Sequence, residues 1–301
     1  MPRRRPRSPA LLGGALALLA LAGCGAPNPT SPAGRLAVVA AENFWGSVVS
    51  QVGGAHVQVT SIVASPDADP HAYEPTPGDA RAMARASYAI VNGAGYDTWA
   101  SRLVDANPTS SRRVLRVADL FGKKEGDNPH MWYSPEYVDQ VVDRVTTDLK
   151  KVDPSNASDY DRQGTGYRTQ GLKPYHDAIA AIRQRYSGTP VGASESIFQY
   201  LSAALGLELV TPQSFLKAVT GGGDISPADK ATVQQQIARK QIRVYVVNAQ
   251  NSTPDVEQVV DQAKRGGIPV VEITETLTPP RATFQDWQTR QLRGLLQALG
   301  G

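Results

Sequence analysis

The sequence lacks three features that would each assign it to a class of protein. It contains one cysteine, Cys24, so no disulfide can form within the chain. After residue 22 it has no apolar run close to the roughly 20 residues that a membrane-spanning helix requires. Neither charge dominates, since 31 basic side chains stand against 28 acidic ones. A disulfide-stapled scaffold and a bundle of spanning helices are therefore excluded. The remaining composition, 41% hydrophobic and 20% charged, is that of a globular protein.

The N-terminus is the unusual part of the chain. Residues 1–10 carry four arginines, and residues 11–22 form an alanine and leucine run that only a glycine pair interrupts. This is the layout of a secretory signal peptide. The run ends in Leu21-Ala22-Gly23-Cys24, which resembles the bacterial lipobox, whose cysteine is acylated and becomes the first mature residue. We therefore expect residues 1–23 to be a lipoprotein signal peptide and Cys24 to be the lipidation site.

A lipid on Cys24 predicts an extracytoplasmic protein anchored to the bacterial cell membrane, because two or more acyl chains are enough for stable attachment. The alternative is an ordinary secretory signal with an incidental cysteine, which would release a protein that bears a free thiol. Residues 24–34 contain three prolines together with Ser, Thr and Asn. This segment cannot bury apolar surface and is expected to be a flexible tether.

The basic character of the chain belongs largely to the targeting segment. Removal of residues 1–23 takes away four of the 31 basic side chains and none of the 28 acidic ones, which leaves a net charge of about −1. A mature chain without a basic surplus gives no support for nucleic-acid binding, so no nucleic-acid partner is expected.

Short β-branched runs alternate with longer amphipathic segments from residue 35 onward, which is typical of parallel α/β construction. A chain of this length is expected to form two lobes, and we assign residues 35–152 to an N-terminal lobe and residues 188–301 to a C-terminal lobe. The predicted strands of the first are Leu36–Glu42, Val57–Val63, Tyr88–Gly93 and Val114–Ala118. Those of the second are Pro190–Glu195, Glu208–Thr211, Val244–Ala249 and Pro269–Ile273.

Residues 153–187 are predicted to form a helix that connects the lobes, because apolar residues recur at spacings of three and four in its second half. Gly164, Gly166, Gly171 and Pro174 weaken its front half, so a kink or a break is expected there. Ligands of open parallel sheets bind beyond the carboxyl ends of the strands. Two facing lobes would therefore form one cleft.

Two loops with the same pattern carry the strongest chemical signal. His71 lies in a proline-rich loop after the second predicted strand, and His130 lies in the loop Asn128-Pro-His-Met-Trp-Tyr-Ser-Pro135. In each loop a proline precedes the histidine, an aromatic residue follows two positions later, and a further proline opens a helix. In the second lobe, Glu195 and Glu275 each stand where a predicted strand ends. Two imidazoles and two carboxylates would thus converge on the cleft as metal ligands.

The segments DPHAYEPTP, NPHMWYSP, ASESIFQYL and ITET resemble, in order and spacing, the metal-binding cluster of a family of ABC-transporter substrate-binding proteins. This family comprises the ZnuA-like, TroA-like and PsaA-like proteins for zinc and manganese. The resemblance implies two four-stranded lobes joined by one long helix, and His71, His130, Glu195 and Glu275 as ligands. It also implies one transported Mn²⁺ or Zn²⁺ per chain, delivery to an ABC permease and its ATPase subunit, no enzymatic activity, and a monomer.

The choice between manganese and zinc depends on where the sequence departs from each type. Many zinc-type members have a third histidine where this chain has Glu195, and a long histidine-rich loop, whereas manganese-type members end in Asp where this chain has Glu275. Oxygen donors suit manganese and imidazole suits zinc, so the ligand set favours manganese. Because both imidazoles must be neutral, we expect metal binding to weaken below about pH 6.

Two other functions are compatible with parts of this pattern. A siderophore- or haem-type binding protein would need an aromatic or arginine-lined cleft, and an extracytoplasmic zinc hydrolase would keep one coordination position open for water. The histidines His56 and His176 are expected to be solvated and to bind no metal. The residues that orient the ligands are not predicted, although Asp67, Asp69 and Glu74 lie near His71 in the sequence.

Overall fold

The computed structural model describes Met1, residues 34–66, Ala68 and residues 70–301. Apart from Met1, the predicted signal peptide lies outside these residues, as do Cys24, almost all of the predicted tether, Asp67 and Asp69. Within the described part, no helix is both long enough and apolar enough to cross a membrane.

The first sheet contains four parallel strands, in the spatial order β2-β1-β3-β4. They are β1 (Leu36–Glu42), β2 (Val57–Val63), β3 (Tyr88–Val91) and β4 (Arg113–Arg116). Five helices connect and cover them: α1 (Asn43–Gly53), α2 (Pro77–Arg85), α3 (Thr98–Ala106), α4 (Val117–Leu120) and α5 (Pro135–Val152). Central strands of such a sheet are buried on both faces, which explains why every residue of β3 is buried.

The segment between the sheets is helical but interrupted. It consists of α6 (Ala157–Gly166), a π-helical turn (Tyr167–Gly171) and α7 (Lys173–Tyr186). The π turn begins directly after Gly166, and Pro174 stands in the first turn of α7, where a missing N–H costs little. The predicted interruption in the front half is therefore confirmed.

The second sheet repeats the plan of the first, with four parallel strands in the order β6-β5-β7-β8. They are β5 (Pro190–Ala193), β6 (Glu208–Leu209), β7 (Tyr245–Asn248) and β8 (Val270–Ile273). The helices are α8 (Gln199–Leu205), α9 (Gln213–Thr220), α10 (Pro227–Ala238), α11 (Pro254–Arg265) and α12 (Phe284–Ala298). The predicted α/β class with two four-stranded parallel sheets is confirmed.

The strand orders determine where a ligand can bind. In each sheet the chain leaves the first strand in one direction and the third strand in the other, so a crevice opens between the carboxyl ends of β1 and β3, and likewise of β5 and β7. Glu42 ends β1, Glu195 follows β5 after one residue, and Asn248 ends β7. Polar side chains are therefore concentrated where the two crevices lie.

The two lobes share one hydrophobic core. A single cluster of buried side chains includes residues of β1 and α1, of the connecting helix α7, and of α12. Helix α12 follows the last strand of the second sheet but packs on α7 and contacts α1 of the first lobe. The lobes are thus joined by apolar packing as well as by the connecting segment.

We expect Leu292→Ala to destabilise the protein, because Leu292 of α12 is fully buried in this shared core. Truncation of a buried leucine costs about 2–5 kcal/mol of unfolding free energy, which denaturant unfolding measures directly. Gln297→Ala on a more exposed face of the same helix is the matched control and should change stability by no more than about 0.5 kcal/mol. Equal effects of the two substitutions would contradict the assigned packing of α12.

Candidate metal centre

The four predicted ligands lie at the ends of four different segments. His71 is in the loop between β2 and α2, and His130 immediately precedes a short 3₁₀ turn at Met131–Tyr133. Glu195 follows β5 after one residue, and Glu275 follows β8 after one residue. The two histidines therefore come from the first lobe and the two acids from the second.

The histidine loops are held by hydrogen bonds to buried side chains. The indole N–H of Trp99 donates to the carbonyl of Pro70 at 2.8 Å, directly before His71. The side-chain amide of Asn92 donates to the carbonyl of Pro129 at 2.9 Å, directly before His130. Capped helices follow both loops: Thr76 and Asp79 form a capping box on α2, and Ser134 caps α5. Both imidazoles are thus placed by rigid neighbours.

Ligand atoms of three of these residues converge. His71, His130 and Glu275 each offer one atom, and the three atoms lie within 4.8 Å of one another. Glu195 adjoins this group, because its Oε1 lies 3.9 Å from Nε2 of His130. Ligand atoms about 2.1 Å from a tetrahedral ion are separated by about 3.4 Å, so a metal held by His71, His130 and Glu275 would require only a small contraction of these three atoms.

Burial differs among the four residues. His130, Glu195 and Glu275 are each at most 3% exposed, whereas His71 is exposed. His71 lines two openings of the cleft, with volumes of about 710 Å³ and 340 Å³. Glu275 also lines the smaller opening, so this acid borders the same part of the cleft as the exposed His71.

The two carboxylates are tied together by one amide. Nδ2 of Asn248 donates to Oε1 of Glu195 at 2.8 Å and to Oε1 of Glu275 at 2.7 Å. The remaining oxygens are bonded as well, Oε2 of Glu195 by Asn251 at 2.6 Å and Oε2 of Glu275 by the hydroxyl of Tyr96 at 2.7 Å. Every carboxylate oxygen is oriented by a donor, and each retains a lone pair for a metal.

Burial and the neighbouring Glu275 raise the pKa of Glu195 above the usual value of a carboxyl group. Loss of hydration raises its pKa to about 8, the charge of Glu275 adds to this effect, and the amides of Asn248 and Asn251 oppose it. At neutral pH Glu195 therefore keeps its proton, and a metal ion that bound here would have to displace it. Proton competition with such an ion would extend to higher pH than histidine protonation alone predicts.

The two ring nitrogens of His130 have different surroundings. Its Nδ1 lies 2.8 Å from Oδ1 of Asn128, while Nε2 is buried and has no hydrogen-bond partner among the described residues. Loss of hydration lowers the pKa of this imidazole well below its usual value, and His71 lowers it further. The ring is thus neutral at physiological pH, as metal binding requires.

The residues that orient the ligands were missed in the sequence. They are Tyr96, Asn128, Asn248 and Asn251. Asn248 and its neighbours stand at the end of a predicted strand, so the rule that ligands bind beyond the carboxyl ends of strands applies to them as it does to Glu195. The residue type did not indicate a role in the site, because asparagines are common at strand ends and in turns.

The two remaining histidines, which were expected to be solvated, each contact an aspartate and are only partly exposed. His56 pairs with Asp159 at 2.7 Å, and His176 lies 3.3 Å from Asp139. Both pairs are partly exposed contacts between helical segments and neither is part of the cleft group.

Comparison with known proteins identifies the family. The family model described as "Zinc-uptake complex component A periplasmic" matches residues 38–298, which is nearly all of the described chain. The chain belongs to this family.

Two relatives of this chain are named as manganese-binding or substrate-binding lipoproteins. The manganese-binding lipoprotein MntA of Halalkalibacterium halodurans is 33% identical over 205 residues, which cover 65% of this chain and 66% of that protein. The manganese ABC transporter substrate-binding lipoprotein PsaA of Streptococcus mitis is 24% identical over 263 residues, covering 80% of each chain. These members of the family are substrate-binding proteins and not enzymes.

A solved structure shows the same two-lobed fold. The Mn-bound periplasmic metal-binding protein from Candidatus Liberibacter asiaticus superposes with a TM-score of 0.71. It is 18% identical, and the match covers 88% of this chain and 100% of that one. The two-lobed architecture predicted from the sequence is therefore that of a known fold.

Glu195→Gln should alter how the stability of the metal-free protein depends on pH. The pKa of Glu195 is about 8 in the folded protein and about 4.3 in the unfolded chain. The contribution of the Glu195 carboxyl to the free energy of unfolding is therefore fully present below pH 4.3 and is lost as the pH rises through 8. Glutamine cannot ionise, so the variant does not lose stability in this way. At pH 8 to 9 the variant should be more stable than the wild type by about 2–4 kcal/mol, while near pH 5 the difference should be small.

Urea unfolding of metal-stripped protein between pH 5 and pH 9 measures this difference. Glu208→Gln, at an exposed glutamate of β6, is the control and should leave the pH profile unchanged. A difference between Glu195→Gln and wild type that is constant across this range would contradict a raised pKa.

Proposed function

We propose that this chain is the extracytoplasmic solute-binding component of an ABC importer, and that it binds one divalent transition metal ion through His71, His130, Glu195 and Glu275. The observation that supports this best is the convergence of imidazole and carboxylate atoms from both lobes in one cleft. As a member of a family of uptake-complex components, the chain is a binding protein that works with a permease and its ATPase subunit.

Capture follows from the charge of the site. Two buried acids repel each other, and a dication between them removes the repulsion and replaces the proton held on Glu195. The unpartnered Nε2 of His130 gains the partner it otherwise lacks among the described residues. Since the ligands come from two lobes, the ion favours whichever arrangement brings them closer, and this differential affinity would allow a permease to distinguish loaded from empty protein.

We favour manganese over zinc as the physiological cargo. Two imidazoles with two carboxylates form a harder ligand set than three imidazoles, and oxygen donors suit manganese. MntA and the PsaA proteins among the relatives are named for manganese. Isolated protein should nevertheless bind zinc more tightly, because divalent zinc stands above manganese in the Irving–Williams order.

A siderophore- or haem-type role is less well supported. The described cleft is lined around His71 by small and polar residues, and the larger opening contains Lys217 but no arginine among the described residues. The residues that line this opening offer no aromatic platform for a large cofactor. The convergence of His71, His130 and Glu275, with Glu195 beside His130, supports a bare ion instead.

Protein purified from its native membrane should contain one manganese or zinc ion per chain, measured by elemental analysis. Glu195→Ala should lose this metal, because the site loses a charged ligand and keeps the cost of burying the others. His176→Ala, outside the cleft, is the control and should retain it. Absence of stoichiometric metal from the native protein would contradict the proposed function.

We also propose that the protein is a monomer attached to the outer side of the cell membrane through lipid on Cys24. Cys24→Ser should move the protein from the membrane fraction to the soluble extracytoplasmic fraction, since attachment depends on the acyl chains. Fractionation with immunodetection measures the distribution, and Ser31→Ala in the same segment is the control. Persistent membrane association of the Cys24 variant would exclude the lipid anchor.

A further inference from the structure

The side-chain amide of Asn128 forms hydrogen bonds to both lobes. Its Oδ1 accepts a hydrogen bond from the backbone N–H of His130 at 3.0 Å and lies 2.8 Å from Nδ1 of the same residue. Its Nδ2 donates to the carbonyl of Ser196 at 2.7 Å and to Oε1 of Gln199 at 2.8 Å. One amide thus contacts a predicted ligand of the first lobe and the segment that follows Glu195 in the second.

These partners determine how the amide is oriented. The backbone N–H of His130 can only donate, and the carbonyl of Ser196 can only accept, so the oxygen of Asn128 must face His130 and its nitrogen must face Ser196. Nδ1 of His130 therefore faces an acceptor and must carry the proton of the neutral ring. Nε2, the atom 3.9 Å from Glu195, is left with a free lone pair.

A second group near Nδ1 does not change this assignment. The hydroxyl of Ser196 lies 3.4 Å from Nδ1, a longer contact than the 2.8 Å to Asn128. That hydroxyl also pairs with the hydroxyl of Thr220 at 2.8 Å. Asn128 is therefore the principal partner of the imidazole.

We propose that Asn128 is a positioning residue that couples metal binding at His130 to closure of the lobes. Its acceptor end selects the tautomer that can bind a metal, and its donor end holds the residue adjacent to Glu195. A ligand of the first lobe and a ligand of the second are thus connected by a protein path in addition to the ion. The inference rests on the proposed metal binding by His130 and Glu195.

Two substitutions distinguish the role of the acceptor end of the Asn128 amide from the role of its donor end. Asn128→Ala removes both, whereas Asn128→Asp retains an acceptor facing His130 and loses the donor facing Ser196. Asn107→Asp is the control for the added charge, since the side-chain amide of Asn107 donates to the carbonyl of Leu103, far from the cleft. The probes are Mn²⁺ and Zn²⁺ alone.

The tautomer of His130 is measured by ¹⁵N chemical shifts of the ring in metal-free protein. We expect the Nδ1-protonated form in the wild type and in Asn128→Asp, and a mixture of tautomers in Asn128→Ala. Metal affinity should fall about 10–100-fold in Asn128→Ala, the range typical when a group that orients a ligand is lost. Asn107→Asp should match the wild type in both measurements.

Closure is measured by hydrogen exchange. Metal should protect the amides of residues 196–199 in the wild type and in Asn107→Asp, and this protection should be reduced in Asn128→Asp although the tautomer is retained. An unchanged tautomer in Asn128→Ala, or full metal-induced protection in Asn128→Asp, would overturn the proposal. Because the tautomer is measured without metal, its outcome is independent of whether the wild type binds metal, which the affinity measurement decides.

Discussion

The rest of the site depends on one constraint, the electrostatic repulsion between two buried carboxylates, Glu195 and Glu275. Their mutual repulsion is unfavourable in an interior that water does not screen. Asn248 lowers this cost by donating one hydrogen to each acid, and a proton on Glu195 lowers it further. A divalent cation held between them would relieve this repulsion, so the repulsion that disfavours the charged pair would favour the proposed metal capture.

The geometry of the two parallel sheets brings these acids together. Carboxyl ends of parallel strands lie at one edge, and the two sheets direct these edges towards one cleft. Loops with proline before each histidine place the imidazoles opposite the acids, and buried side chains such as Trp99 and Asn92 hold those loops. The candidate ligands are therefore held in place by the protein itself.

The contacts between the lobes explain how a small ion can influence the whole molecule. Besides the shared apolar core, hydrogen bonds cross the cleft from Tyr96 to Glu275 and from Tyr133 to the carbonyl of Thr274. The backbone N–H of Leu277 donates to Asn43, and that of Phe284 to Ser47. Continuous packing through α7 and α12 opposes large rotations, so the expected response to metal is a small contraction around the site.

The sequence by itself determined the periodicity of the eight strands, the interruption of the connecting helix, and the identity of the four candidate ligands. These features are local, because β-branched runs, glycines in a helical pattern and proline-flanked histidines act within a few residues. The pairing of Glu195 with Glu275 through Asn248, the exposure of His71 against the burial of His130, and the bridging position of Asn128 were decided only by the tertiary structure. They join residues far apart in the chain, and their energies depend on burial and distance, which no local pattern encodes.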